Sequence, residues 1–385
     1  MIIEPKVRGF ICTTAHPDGC KKSVENQIAV AKKYAGKINA GKRVLVIGGS
    51  TGYGLASRIA LAFGGGAGTI NVMFEREAAG VRTATAGWYN TAAFEEFAKA
   101  ENLYAKSVNG DAFSDEIKTQ VIDIIKRDFG KVDAVIYSLA APRRTMPDGT
   151  VASSVLKTVG ESFTNKTIDL RTGEVGEVTV TPATNEEIDA TVKVMGGEDW
   201  ANWIDALEKA DAIEDGALTL AYSYIGPELT HPIYMNGTIG MAKRDLYYTA
   251  KNIAKKYGLN ARISVNKALV TQSSAAIPVV PLYISLLYKV MKKAGTHEGC
   301  IEQMCRLFAE KLSAFDGEGY IRLDDLEMDP KTQKEVQKAW KAVNTANLAS
   351  YADLDGYWDD FYKMFGFKQR GVDYSADVDP VRKID

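Results

Sequence analysis

The sequence predicts an α/β protein in which a doubly wound parallel sheet carries helices on both faces. Three observations predict it. Short β-branched apolar runs alternate with segments of helical period between residues 43 and 142, a glycine-rich turn closes the first run, and an acidic residue ends the second. Such alternation arises when parallel strands are buried on both faces and joined by crossover helices.

The elements follow in order. RVLVIGG (43–49) reads as the first buried strand and GLASRIALAF (54–63) as the helix behind it. TINVMFE (69–75) is the second strand and AAFEEFAKAENL (92–103) the second helix. LYAKSVNGDA (103–112) is a third strand ending at Asp111, followed by SDEIKTQVIDIIKRDFG (114–130) with Ser114 as N-cap. VDAVIYSLAAP (132–142) is the fourth strand.

The alternation then breaks. FTNKTIDLRTGEVGEVTVTP (163–182) changes polarity residue by residue on each side of Thr172-Gly173, which predicts a β-hairpin inside an insertion spanning 150–184. Thr184 and Glu187 form the T-x-x-E of a capping box, and a further helix is expected around WANWIDALEKA (200–210). ALTLAYSYIG (217–226) is the fifth strand, residues 238–256 a helix, and ARISVNKALV (261–270) the sixth strand. The remainder is mostly helical and amphipathic. A single catalytic domain over 1–385 is expected, with residues 277–385 forming a substrate lid and a helical C-terminal layer.

Composition narrows the function. The formal charge of −2 is spread along the chain, so no nucleic-acid footprint is expected. Cys12, Cys20, Cys300 and Cys305 are too few to staple 385 residues, which points to a reducing, cytoplasmic compartment. The three histidines lie outside any ligand spacing, so no metal is expected; Cys12, His16 and Cys20 read as a packed N-terminal segment. The N-terminus lacks a signal-peptide pattern. No apolar run reaches the about 18 residues of a membrane span, since Pro278, Pro281 and Lys289 interrupt IPVVPLYISLLYKVM (277–291). No integral membrane association is expected. DGEGYIRLDDLE (316–327) begins and ends like a calcium loop but has Ile321 where glycine is needed and Tyr320 at a ligand position, so it reads as a solvated acidic turn. DLDGYWDD (353–360) misplaces its glycine and reads the same way.

The turn GGSTGYG (48–54) is the strongest chemical signal. Its spacing is G-x-x-x-G-x-G, yet glycines before a helix N-terminus let a backbone approach a pyrophosphate and offer it unpaired N–H groups. Gly48, Gly49, Ser50, Thr51, Gly52 and Tyr53 are therefore candidate contacts of a dinucleotide in a Rossmann-type fold. Glu75, 23 residues after Gly52, would bind the adenosine ribose and repel a 2′-phosphate, with Phe74 beside it. That predicts NADH, although Arg76 and Arg82 are near enough in sequence to serve a phosphate, and Glu75 alternatively is a solvated loop carboxylate. Asp111 and Ala112 at the third strand end would meet the adenine. Leu139 and Ala140 at the fourth would line the nicotinamide side. Asp111 reads equally well as a strand-end turn residue.

HPIYMNGTIGMAK (231–243) places eight residues between Tyr234 and Lys243. On one continuous helix, residues nine apart face opposite ways. A catalytic pair therefore requires Tyr234 in a turn ahead of the helix, and Asn236-Gly237 with Thr238 as N-cap supplies such a turn. The alternative is an ordinary tyrosine and a solvent-facing lysine. IPVVPLYISLLYKVM is either a lid helix, whose Ile277, Leu282, Ile284 and Leu287 would line a substrate pocket, or a core helix; peripheral membrane contact is a weaker third reading.

Longer motifs go further. GGSTGYGLA, GWYN, NGDAFSDEIK, YSLAAPRR, KVMGGEDW, AYSYIGPELTHPIY with GTIGMAK, and KALVTQSSAAIPVVPLYISLLYKVMK cover nearly the whole chain, from FICTTAHPDGC to GVDY. Together they resemble the trans-2-enoyl-CoA reductase and type V enoyl-acyl-carrier-protein reductase family, enlarged relatives of the short-chain dehydrogenases. The resemblance implies NADH-dependent reduction of the C2–C3 double bond of an enoyl thioester in fatty acid synthesis. It implies Tyr234 of a Tyr-x8-Lys signature as proton donor, Lys243 as cofactor contact, and Tyr224 as substrate contact. Leu269, Val270 and Thr271 match a further cofactor segment, and Arg244 stands where the family has a second basic residue. The partner is then enoyl-CoA, with acyl carrier protein as the alternative carrier; Ile277, Leu282, Ile284 and Leu287 become candidates for selecting acyl chain length, and a monomer or weak dimer is expected. A ketoacyl reductase and a non-catalytic dinucleotide sensor are the competing readings. The first keeps a four-residue Tyr–Lys spacing, and the second lacks the Tyr or the Lys.

Overall fold

The computed structural model describes residues 1–9, 11–272 and 274–384. A short antiparallel pair, β1 (Val7–Arg8) and β2 (Ile11–Cys12), precedes helix α1 (Pro17–Lys32). The central sheet then begins with β3 (Arg43–Ile47) and helix α2 (Gly52–Ile59), which continues as a π turn through Ala60–Gly64. Next come β4 (Gly68–Met73), α3 (Ala86–Ala100), β5 (Ala105–Asn109), α4 (Asp115–Asp128) and β6 (Val132–Tyr137). The insertion holds two antiparallel hairpins, β7 (Arg143–Thr145) with β8 (Val151–Ser153), and β9 (Phe163–Ile168) with β10 (Val175–Val180). Helices α5 (Asn185–Met195) and α6 (Glu198–Lys209) lead to β11 (Ile213–Ser223), α7 (Thr238–Tyr257) and β12 (Asn260–Val265). The C-terminal part contains α8 (Val280–Ala294), α9 (Cys300–Arg306), β13 (Ile321–Arg322), α10 (Pro330–Ala342), α11 (Leu348–Tyr351) and α12 (Leu354–Lys363).

Seven strands form one parallel sheet in the order β13-β12-β11-β6-β3-β4-β5. The order reverses beside β3, so the crevice between the carboxyl ends of β3 and β6 is the topological switch point where ligands settle in open sheets. The fold is thus the expected doubly wound α/β architecture. β3 shows why its sequence is a continuous apolar run. Leu45 and Ile47 enter one buried layer with Trp200, Trp203 and Leu246. Val44 and Val46 enter the opposite one with Ile59, Phe94 and Leu307. All four strand residues are fully buried, as a strand covered on both faces requires.

Several local expectations change. The strands stop earlier than the apolar runs suggest, at Asn109, Tyr137 and Val265. Leu139, Ala140 and residues 269–271 therefore lie in the loops beyond the strand ends. The N-cap of α7 is Gly237, not Thr238. Thr238 Oγ1 instead accepts from Lys157 N and donates to Val155 O, which ties the insertion to the start of α7. The Thr184–Glu187 capping box and the Ser114 cap form as expected. DGEGYIRLDDLE is not a solvated turn: it contributes β13 to the sheet, and Asp324 and Glu327 are fully buried. Two residues of strand are too short for any periodic signal. No helix among the described residues is long and apolar enough to cross a membrane.

Candidate active site

The glycine turn is built by close backbone approach. Gly48 has φ +89°, and a Cβ there would lie 2.3 Å from Ser138 O on the neighbouring strand end. A Cβ on Gly54 would lie 2.0 Å from Gly48 O. Gly49 N donates to Asn71 Oδ1 at 2.9 Å, which pins the turn to β4. Gly52 differs: its φ is +55° and nothing lies within 4 Å of its Cβ position. Thr51 caps α2 by backbone alone, with no side-chain hydrogen bond, so the first amide groups of the helix stay available. An open glycine above uncapped helix N–H groups suits a diphosphate.

Glu75 closes one side of this cradle. Its Oε1 accepts from Ser50 Oγ at 2.6 Å, and its main chain exchanges two hydrogen bonds with the Asn109 side chain at 2.7 and 2.9 Å. Phe74 beside it is 79% exposed, an apolar plate at a strand end. Asp111 is committed to its own turn, Oδ1 accepting from Phe113 N at 3.0 Å. Ala112 O accepts from Trp203 Nε1 at 3.0 Å and from Lys118 Nζ at 3.2 Å. Leu139 is half-buried and reaches the Gly48 turn, and Ala140 is exposed. Tyr53 turns away from the cradle, its hydroxyl donating to Lys267 O at 2.7 Å.

The second half of the site gathers at the carboxyl end of β11. Tyr222 and Tyr224 stand two residues apart there. Lys243 Nζ donates to Tyr222 O at 3.0 Å. The rings of Tyr224 and Tyr234 meet edge to face, centroids 4.7 Å apart. Tyr234 lies in the turn that links the short 3₁₀ segment Glu228–Thr230 to α7, the position a catalytic Tyr–Lys pair at this spacing requires. Its hydroxyl has no hydrogen-bond partner among the described residues. Burial, then the charge of Glu327, raises its pKa above the ordinary value, which keeps it protonated. Burial lowers Lys243 to about 8. Arg244 is exposed, its guanidinium 3.5 Å from Met235 O.

Beyond β12, Val270 N donates to Tyr288 Oη at 3.1 Å, while Leu269 O accepts from Ser274 Oγ at 2.8 Å. Thr271 N also bonds Ser274 Oγ, at 2.9 Å. Ile277, Leu282, Ile284 and Leu287 are all buried in the apolar cluster that includes Tyr234 and Leu269. That placement packs α8 into the core beside Tyr234 and Leu269. Sequence reasoning missed Glu327. Its carboxylate reaches Tyr224, Tyr283 and Ala268 N from the far side, and nothing in its local pattern signals that.

Comparison with known proteins covers nearly the whole chain. Residues 82–313 match the trans-2-enoyl-CoA reductase catalytic region, and residues 2–80 match the NAD(P)H binding domain of trans-2-enoyl-CoA reductase. Residues 315–378 match a family described as an enoyl reductase FAD binding domain. The described residues there do not fit a flavin. Trp340, Tyr357 and Phe361 fill the helical core, and no glycine turn joins β13 to α10. Among curated relatives, trans-2-enoyl-CoA reductase [NADH] of Ruminiclostridium cellulolyticum is 56% identical, covering 98% of each chain. Enoyl-[acyl-carrier-protein] reductase [NADH] of Coxiella burnetii is 56% identical over 100% of this chain and 97% of the relative. The crystal structure of Treponema denticola trans-2-enoyl-CoA reductase in complex with NAD superposes with a TM-score of 0.96 at 50% identity, covering 100% of both chains. With a catalytic-region match over 232 residues and near-complete coverage at this identity, the chain belongs to the trans-2-enoyl-CoA reductase family.

Proposed function

We propose that this chain reduces the C2–C3 double bond of trans-2-enoyl thioesters to the saturated acyl thioester, using NADH, with coenzyme A as the carrier. The observation that supports it most is the convergence at the end of β11: a buried phenol, Tyr234, whose hydroxyl has no hydrogen-bond partner among the described residues, packed on Tyr224, and Lys243 anchored on Tyr222 O two residues before that tyrosine. Relatives of equal identity named for both carriers keep enoyl-acyl-carrier-protein as the second reading.

The dinucleotide, when bound, supplies a hydride to C3. The remaining work falls to the chain. As electrons move onto the thioester oxygen, Tyr234 hydrogen-bonds that oxygen as it becomes an enolate and serves as the proton source for C2. Donors of this kind are typically worth about 2.7–4 kcal/mol in the transition state. Tyr224 contacts the substrate, and Lys243 holds the nicotinamide ribose and favours the ionised phenol as the proton leaves. Gly48, Gly49, Ser50, Thr51 and Gly52 cradle the pyrophosphate, with Tyr53 backing the turn. Phe74, Glu75, Asp111 and Ala112 serve the adenosine end, while Leu139, Ala140 and residues 269–271 line the nicotinamide end. α8 walls the acyl chain. Four free cysteines fit a reducing, cytoplasmic setting, and the chain acts as a monomer or weak dimer.

The test is NADH oxidation with crotonyl-CoA, crotonyl-acyl-carrier-protein and acetoacetyl-CoA at equal concentration. Turnover is expected with the crotonyl thioesters, faster on coenzyme A. Preferential turnover of acetoacetyl-CoA transfers the protein to ketoacyl reduction. NADH binding without oxidation on any of the three makes it a sensor.

A further inference from the structure

Glu327 is a fully buried carboxylate whose hydrogen bonds all come from donors. Oε1 accepts from Tyr224 Oη at 3.0 Å and from Tyr283 Oη at 2.7 Å. Oε2 accepts from Ala268 N at 2.7 Å. Gln333 Nε2 braces the arrangement, donating to Glu327 O at 2.7 Å and to Tyr283 Oη at 3.1 Å. The buried ammonium of Lys267 lies one residue from Ala268, its Nζ on Ala268 O at 2.9 Å. Burial raises the pKa of this carboxyl, while the Lys267 charge and the bonds from Tyr283 Oη and Ala268 N oppose that rise and favour the ionised form. With three donors converging on its two oxygens, the carboxylate acts as an acceptor. The Tyr224 hydroxyl has one proton. While that proton is held by Glu327, the Tyr224 oxygen can accept from the site but cannot donate to it.

We propose that Glu327 is a positioning residue for the reaction: by taking the hydrogen bond of Tyr224, it fixes that ring against Tyr234 and leaves Tyr234 the sole phenol that donates to the thioester oxygen. The two phenols differ because of what stands behind them. Tyr234 has no acceptor among the described residues and Tyr224 has a carboxylate. Glu327 lies outside the residues matched by the family's catalytic region and reaches the site across 103 positions of sequence. The groups around it are Tyr224 just past β11, Tyr234 from the turn before α7, Tyr283 from α8, Lys267 from the loop after β12, and Asp324 on its own segment. Asp324 is already occupied by Arg322, at 2.6 Å.

The inference rests on the proposed enoyl reduction. Glu327→Gln tests it because the amide is nearly isosteric. Its oxygen keeps Ala268 N, and its NH₂ then faces the two tyrosines as a donor, which reverses the polarity of the Tyr224 bond. With wild type active on crotonyl-CoA, E327Q should lower kcat about tenfold with the KM for NADH unchanged, as expected when an interaction made in the transition state is lost. In a Tyr224→Phe background the same substitution should change kcat less than about twofold, since coupled residues are not additive. An equal loss in both backgrounds, or no loss in wild type, overturns the assignment while leaving enoyl reduction standing. An inactive wild type removes the reaction itself. A crystal structure of the wild-type protein with NAD⁺ and crotonyl-CoA decides the point even if E327Q does not fold. Tyr224 Oη on Glu327 with Tyr234 Oη on the thioester oxygen supports it, and Tyr224 Oη on the thioester oxygen overturns it.

Discussion

The two halves of the site are made in different ways. The half proposed for the dinucleotide, residues 48–75, comes mainly from one stretch of chain: a glycine turn, a helix and a strand follow one another, with Gly54 packed on Gly48 O and Gly48 on Ser138 O of the neighbouring strand end. The substrate half is assembled from distance. Tyr224 is held by Glu327, Lys267 N by Gln303 Oε1 at 2.9 Å, and Ala268 N by Glu327 again. The first half fails through sterics, when a side chain is added. The second fails through charge and hydrogen bonding, when a partner is removed.

The sharpest way to break that contrast is Tyr234→Phe. It should cost about 10²–10³ in kcat, the worth of one oxyanion donor, while the NADH Kd measured by fluorescence titration stays within about twofold. A variant that keeps most of its kcat removes Tyr234 from the donor role. Next comes Gly54→Ala, whose methyl meets Gly48 O. It should cost about 3 kcal/mol of stability in a denaturant titration, whereas Gly52→Ala, strained only by its left-handed backbone, should cost about 1–2 kcal/mol. Equal costs would mean that the turn is set by φ alone.

The third probe is pH. Lys243 is charged below its pKa, and burial lowers that value to about 8. kcat/KM for NADH should therefore fall as pH rises through about 8, approaching tenfold per unit, and Lys243→Met should flatten that limb. A wild-type profile flat to about pH 10 would detach the ammonium from the reaction. The smallest effect is expected at Glu75. Glu75→Ala removes the carboxylate proposed to face the ribose and should raise the NADPH-to-NADH ratio of kcat/KM about tenfold, more at low salt. An unchanged ratio would assign the discrimination elsewhere.

Much of this was legible in advance because the relevant physics is short-range. Alternating apolar runs marked six of the seven sheet strands, and the Thr184–Glu187 box and Ser114 cap formed as read. A catalytic Tyr234–Lys243 pair required a turn before α7, and the turn is there. The misses share a cause. β13 is two residues long, and the first insertion hairpin, β7 with β8, pairs only three residues per strand. Neither length expresses a period. Asp324 and Glu327 read as solvent-facing because carboxylates normally are.

The sequence by itself determined six strands of the sheet, the glycine turn and the turn ahead of α7, because each is encoded within a few turns of chain. Only the tertiary structure decided that Tyr224 and Tyr234 are unequal, that α8 is buried, and that an acidic turn near residue 327 belongs to the site. A buried carboxylate is stable only where distant donors meet it, and which donors those are is settled by how the chain packs.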